Sequence, residues 1–532
     1  MTSAHRDRFV IDRLPPPEQQ PEFRFDLPEL HYPDQLNAAV ELMRQSDMSR
    51  PAVINDQGSW SFADIDDLSD RIARLLVEEE GLVPGNRVLL RGPNTAFLFA
   101  AWLAILKAGA VVVATMPILR AGEIATILER AEVSHAIVDS RFVGDFLEGA
   151  DQAGNVRSLL RYDGDLGSGE LERRLDNVAR GFVAVATGRD DPALIAFTSG
   201  TTGKPKGCVH FHRDVLASAD SFARHILQPR PGDLWTCSAP LAFTFGLGML
   251  LIFPWRFGGT AVTIEQPSPA ALLDAVERHR VTTLATAPTA YKAMLNLLSG
   301  RDIASLRTCV SAGEHLPAAT WHAWQEATGL AIVDGIGATE MMHIFISASG
   351  DDIRPGATGK AVPGYTACVL DEAGTPLPHG TGRLAVKGPT GCRYFDDERQ
   401  SVYVQHGWNV TGDTYRSDAD GYFWFVARSD DMIISSGYNI AAPEVENALY
   451  AHPAVEECAV VGVPCEERGQ RVKAFVVLAP GHAAGPAVAT MLQDHVKATI
   501  APYKYPREVE FVSALPKTAT GKLQRFALRQ RR

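Results

Sequence analysis

The window Thr198-Ser199-Gly200-Thr201-Thr202-Gly203-Lys204-Pro205-Lys206-Gly207 gathers hydroxyls, glycines and lysines directly behind the apolar run Leu194-Ile195-Ala196-Phe197. An apolar run of this length suits a buried strand, and the window itself suits a polar loop. Gly200, Gly203 and Gly207 let backbone N–H groups turn inward with no Cβ in the way. Thr198, Ser199, Thr201 and Thr202 add hydroxyls, and Lys206 adds a mobile positive charge. The guest such a loop suits is a polyphosphate. Taken alone, the same composition also makes an ordinary surface turn. The spacing is not that of the common P-loop, because Gly200 and Gly203 stand too close and Pro205 follows Lys204.

Further stretches carry chemistry. Asp334-Gly335-Ile336-Gly337-Ala338-Thr339-Glu340 begins like a dinucleotide fingerprint, but Glu340 stands where the third glycine belongs. Thr411-Gly412-Asp413 and Arg428 place a carboxylate and a cation in a β-rich region, although each could equally belong to a surface turn. Ser435-Ser436-Gly437-Tyr438-Asn439-Ile440 comes after Asp430, and Pro516-Lys517-Thr518-Ala519-Thr520-Gly521-Lys522 lies near the C-terminus.

In this order, these segments resemble the signature motifs of the adenylate-forming superfamily, which contains acyl-CoA and aryl-CoA ligases, peptide-synthetase adenylation domains and luciferases. The resemblance covers nearly the whole chain after residue 35. It implies ATP, Mg²⁺ and coenzyme A as co-substrates and cofactor. It implies that Thr198, Ser199, Gly200, Thr201, Thr202 and Lys206 hold the phosphates. Ala312, Gly313, Glu314, Asp334, Gly335 and Ile336 would border the nucleotide, with Asp334 replacing the usual tyrosine. Thr339 would touch the α-phosphate and Glu340 would hold Mg²⁺, a hard cation that takes carboxylate and phosphate oxygens. Asp413 would accept from the ribose hydroxyls with Arg428 in support, Asp430 would be the hinge of a mobile C-terminal domain, and Gly437 and Tyr438 would meet the pantetheine arm. Lys522 would be the catalytic cation that offsets the charge built up when a carboxylate attacks the α-phosphate.

Two stretches narrow the acid. Phe243-Thr244-Phe245-Gly246-Leu247-Gly248 and Thr339-Glu340-Met341-Met342-His343-Ile344-Phe345 look like the acid-pocket segments of benzoate and 2-aminobenzoate CoA ligases. Phe243, Phe245, Gly246, Ala338, His343 and Ile344, with Ala312, Gly313 and Gly337 as a small-residue floor, would form a slot for one ring. An aromatic stripe is also what a core is made of, and His343 could donate to an ortho substituent or to a carbonyl. The expected activity is that of an ATP-dependent aryl-CoA ligase. The alternatives are a medium-chain fatty acyl-CoA ligase, a stand-alone enzyme loading a carrier protein, and a non-catalytic nucleotide-binding protein. His210-Phe211-His212-Arg213-Asp214 hints at a metal or acyl-transfer motif but reads as the start of a helix.

Composition agrees with a globular protein. The chain has 532 residues, enough for two or more domains, and 46% of them are hydrophobic. The formal charge of −12 and the absence of a long basic block argue against nucleic acid as a partner. The apolar stretch Phe245 to Phe257 is broken by Pro254 and Arg256, so no membrane segment is expected. Seven scattered cysteines read as reduced thiols, hence a cytoplasmic enzyme, expected as a monomer or homodimer.

The elements that must position these residues alternate as in a parallel α/β fold. Helices are expected from Phe62, over Ala96 to Lys107, over His212 to Ile226, over Pro269 to His279 and over Pro317 to Thr328. Strands are expected at Val88 to Leu90, Ala110 to Ala114, Ala261 to Ile264 and Thr283 to Ala287. Residues 1–35 read as a proline-rich arm. The fold class is α/β: two α/β halves joined near Arg161 to Gly181, then a small β-barrel-like unit from about Gly356. Domains are expected at 1–429 and 430–532, the second a mobile α+β unit.

Overall fold

The computed structural model describes residues 3–165, 168–198, 205–428, 432–435, 438–465, 469–500, 502–517 and 523–530. A six-stranded sheet runs in spatial order Ser158–Tyr162, His135–Asp139, Arg87–Arg91, Val111–Thr115, Pro192–Thr198 and Lys206–Phe211. All its pairings are parallel except the last, where Pro192–Thr198 and Lys206–Phe211 run antiparallel with Thr198 opposite Lys206. The strand Arg87–Arg91 is buried at every residue, as befits a parallel strand covered on both faces.

The second sheet has nine strands. Its parallel centre runs from Ile332–Gly337 through Thr308–Ser311, Thr283–Thr286, Leu234–Cys237 and Thr260–Val262 to Pro51–Asn55. Antiparallel strands Ile344–Ser347 and Gly58–Ser61 flank that centre. A third, antiparallel sheet extends from Thr366–Leu370 to Phe423–Arg428. From Met432 onward a five-stranded mixed sheet encloses its own core around Val445, Val460, Val472 and Leu492.

Local chemistry explains several of these elements. Helix Phe62–Glu78 opens on a reciprocal cap between Ser61 and Asp64. Helix Ala96–Lys107, buried at all its positions, is capped by Thr95 and again by Asp165, which accepts from the amides of Ala96 and Phe97 at 3.0 and 2.9 Å.

The structure departs from the sequence reading at two places. The two α/β halves do not meet at Arg161–Gly181: Pro51–Ser61 joins the second sheet, while Pro192–Phe211 returns to the first. Apolar periodicity identifies a strand but not the sheet it enters. The helix expected over His212–Ile226 is α-helical only for His212–Ser218 and then widens into a π-helix over Ala219–Leu227. Within it Ser218 and Ser221 hydroxyls donate to the carbonyls of Val215 and Ala217 at 2.9 and 2.6 Å, competing for the helical acceptors.

The N-terminal arm packs in 3-10 turns and pairs Phe23 with Gly388. All seven cysteines are free. Among the described residues no helix is long and apolar enough to cross a membrane.

One buried ion pair joins these layers. Arg393 donates to Asp214 at 2.6 Å with both side chains fully buried, and its guanidinium lies over the rings of Phe23 and Phe211 at 4.1 and 4.0 Å. Removing one partner strands a buried charge. Asp214→Ala is expected to destabilise the protein by about 3–5 kcal/mol in urea unfolding. A change near zero would show that the pair contributes nothing net.

Candidate active site

The strand Lys206–Phe211 brings Lys206, Cys208 and His210 to one face, since alternate residues of a strand share a side. That face meets the turn after Ile332–Gly337. Lys206 Nζ donates to the Tyr394 hydroxyl at 2.9 Å and lies 3.9 Å from Glu340 Oε1, to which the same hydroxyl donates. Cys208 forms an isolated bridge with Tyr394. His210 Nε2 lies 2.7 Å from the Thr339 carbonyl, an arrangement in which the ring donates. Burial disfavours the charged imidazole of His210, but an ionised Cys208 sulfur and the Asp214 carboxylate beside it outweigh burial and raise the ring to about 10. Burial, with the Glu340 charge beside it, raises the Tyr394 phenol far above its ordinary range, so it stays a proton donor.

Gly207 has a packing reason: a Cβ there would sit 2.2 Å from the Phe395 ring. Thr198 ends its strand with Oγ1 shut from water and, among the described residues, without a hydrogen-bond partner. Ser199, Gly200, Thr201 and Thr202 lie outside the described residues, as do Asp430, Gly437 and Lys522. Tyr438 begins the strand Tyr438–Ala441, and its side chain also lies outside them.

Three strand ends line the neighbouring edge. Ala312 and Gly313 come after Thr308–Ser311, with Gly313 at φ 90°, a conformation that favours glycine, and Glu314 is next. Asp334, Gly335, Ile336 and Gly337 form the second half of Ile332–Gly337, with Ala338 next. A Cβ on Gly335 would strike the Ile344 side chain at 2.7 Å, which places Ile344 against this strand. Asp334 Oδ1 is shut from water and has no hydrogen-bond partner among the described residues, and burial pushes its carboxyl up to about 7. Asp413 and Arg428 stand directly opposite each other across two antiparallel strands.

The third wall is aromatic. The His343 ring, 3% exposed as a residue, is surrounded by Phe222, Phe245 and Phe253 at centroid distances of 5.6, 5.6 and 4.5 Å. Burial lowers the imidazole to about 3, so it is neutral. Its Nε2 lies 3.4 Å from the Phe245 carbonyl, and Nδ1 has no partner among the described residues. Met342 turns the chain into this box at φ 66°, ψ −45°, an unusual conformation for a side-chain-bearing residue. Phe243 precedes the short helix Thr244–Leu247, in which Gly246 fits only because a Cβ would lie 2.1 Å from the Pro240 carbonyl. Gly248 is equally constrained, since its Cβ would fall 2.4 Å from the His343 ring.

Sequence reading alone does not find Phe222, Phe253 or Tyr394, and it treats His210 and Asp214 as no more than the start of a helix. His212 does open a helix, but His210 and Asp214 support the Thr339–Glu340 turn and the Arg393 segment. No local signal in the sequence announces them: Phe222 is placed by a widened helix and His210 by pairing of its strand with Pro192–Thr198.

Residues 41–394 match the AMP-binding enzyme family and residues 444–522 its C-terminal domain. The chain belongs to this family of adenylate-forming enzymes. It is similar to the benzoate–CoA ligase of Thauera aromatica, 38% identical over 94% of this chain and 97% of that one. Among solved structures, it resembles the anthranilate CoA ligase AuaEII in complex with anthranoyl-AMP, with a TM-score of 0.89 and 35% identity over 94% of this chain and 98% of that one. A benzoate CoA ligase from Burkholderia xenovorans LB400 matches with a TM-score of 0.84 and 34% identity over 93% and 100% of the two chains.

The buried Asp334 carboxyl has a consequence for stability. Its folded value near 7 lies above the unfolded value near 3.8, so between these pH values the folded chain holds a proton that the unfolded chain has lost. Stability is therefore lost as pH rises through that window. Asp334→Asn removes the ionising group, and its melting temperature relative to wild type is expected to rise from pH 5 to pH 8. Parallel melting curves across that range would show that Asp334 is not the group involved.

Proposed function

We propose that the protein is an ATP-dependent aryl-CoA ligase that joins benzoate or 2-aminobenzoate to CoA through an acyl adenylate. The observation that carries this reading is the ring box of Phe222, Phe245, Phe253 and His343, set beside the Thr339–Glu340 turn. A neutral His343 suits a flat aromatic guest, because its unpartnered Nδ1 can satisfy an ortho amino group without placing charge in an apolar slot. Likeness to benzoate and anthranilate ligases supports the same substrate class.

In this reading the loop between Thr198 and Lys206 holds the triphosphate, Ala312–Glu314 and Asp334–Ile336 border the adenine, and Asp413 with Arg428 takes the ribose. Glu340 is a hard oxygen ligand suited to Mg²⁺. Among the described residues there is no cluster of three metal-ligating side chains, so phosphate oxygens and water must complete its coordination. Bound there, the cation would neutralise charge on the phosphates. The acid's carboxylate oxygen attacks the α-phosphorus and pyrophosphate leaves, with Thr339 and Lys522 stabilising the charge on the transferring group. The segment beyond Asp430 then turns, bringing Gly437 and Tyr438 to the pantetheine arm. The CoA thiol gives its proton to solvent as its sulfur attacks the acyl carbon, and the acyl C–O bond breaks so that AMP departs with the bridging oxygen.

AMP formation from MgATP with and without CoA, across benzoate, 2-aminobenzoate, phenylacetate, hexanoate and octanoate, tests the assignment. CoA-dependent turnover is expected to be fastest with the two benzoates. Faster turnover of octanoate would transfer the protein to the medium-chain ligases, and pyrophosphate release that CoA never accelerates would indicate a carrier protein as acceptor.

The division of labour has its own test. Lys522→Ala is expected to slow adenylation by about 10²–10³-fold, the usual loss for one charge-stabilising donor, while thioester formation from supplied acyl-AMP stays near wild type. Equal loss of both steps would refute it.

A further inference from the structure

Lys206 and Glu340 carry opposite charges 3.9 Å apart, too far for a direct hydrogen bond. The phenol oxygen of Tyr394 fills the gap, accepting from Lys206 Nζ at 2.9 Å and donating to Glu340 Oε1. Tyr394 is itself held rigidly. Its amide donates to Gln400 Oε1 at 2.9 Å, and Gln400 Nε2 donates to the carbonyls of Gln19 and Cys392 at 2.9 and 3.2 Å. The ring packs edge-on against Tyr403 at 5.9 Å, and only 1% of the residue is exposed. The fixed member of the trio is therefore the neutral one, and the two charged members are pinned to it.

We infer that Tyr394 is a positioning residue for Glu340: its hydroxyl holds one carboxylate oxygen in place so that the remaining lone pairs face a divalent cation when nucleotide arrives. The inference rests on the reading of Glu340 as the Mg²⁺ carboxylate. Polyphosphate draws Lys206 toward itself, which would leave Glu340 without its nearest positive charge. The Tyr394 hydrogen bond survives that exchange, because the phenol competes for neither phosphate nor metal. Groups that orient a metal-ligating carboxylate in this way typically account for about 10–100-fold in metal affinity.

The test is Mn²⁺ binding, read from the loss of the free-ion electron paramagnetic resonance signal with a non-hydrolysable ATP analogue present. Mn²⁺ takes the same hard oxygen ligands. Tyr394→Phe, which keeps the ring, is expected to weaken Mn²⁺ binding about 10-fold, while metal-free analogue binding in EDTA and the melting temperature stay at wild-type values. Glu340→Gln should weaken Mn²⁺ binding as well, and the double variant should bind no worse than Glu340→Gln alone. Wild-type Mn²⁺ affinity in Tyr394→Phe beside a weakened Glu340→Gln would overturn the inference, as would additive losses in the double variant. A Tyr394→Phe protein that melts early or loses metal-free binding would make Tyr394 merely structural. Wild-type affinity in Glu340→Gln would instead reject Glu340 as the cation's carboxylate, and the inference with it.

Discussion

The antiparallel pairing of Pro192–Thr198 with Lys206–Phe211 is the constraint on which the site depends. A strand repeats its facing every second residue, so a register that seats Lys206 beside Tyr394 also carries His210 to the Thr339 carbonyl. A slip of one residue would turn both away, and with them the restraint on Glu340. The charged groups Lys206 and Glu340 are thus brought together by backbone pairing. Long flexible side chains need then make only short final adjustments, which limits the entropy lost on closing around a ligand.

The support behind that strand is unusually polar for a buried layer. His210, Asp214 and Arg393 are fully buried, and each has a hydrogen-bond partner within the group or on the turn it holds. Apolar residues of similar volume could pack here at no loss of stability. They could not hold the Thr339 carbonyl and the Arg393 segment at defined positions through directional bonds. The polar layer trades packing for placement, at the point where the two α/β sheets and the third, antiparallel sheet come together.

Sequence reading resolves what is local. Helix Ala96–Lys107 is legible to the residue, because its apolar run is continuous and Thr95 caps it. The loop motifs are read through their resemblance to the family's signature segments, and Ser199 to Thr202, Gly437 and Lys522 lie outside the described residues. Pairing over distance stays hidden. Tyr394 lies 188 residues from Lys206 and 54 from Glu340, with nothing in its neighbours to announce either contact. The strand Lys206–Phe211 is hidden as well, since Lys206, His210 and Cys208 facing one side leave no apolar alternation to read.

The aromatic box shows the same limit from the other direction. Phe245 and His343 are singled out together because each sits in a stretch that resembles the acid-pocket segments of aryl-CoA ligases. Phe222 and Phe253 are not, since each belongs to a helical stretch that reads as core. Their placement depends on two π-helical turns, Ala219–Leu227 and Gly248–Ile252, which set Phe222 and Phe253 against the same imidazole. A π-turn inserts one residue and rotates everything beyond it, so an ordinary helical wheel misassigns the facing side chain. The packing of these rings around His343 therefore follows from backbone irregularity, with Gly248 keeping open the space that the His343 ring occupies.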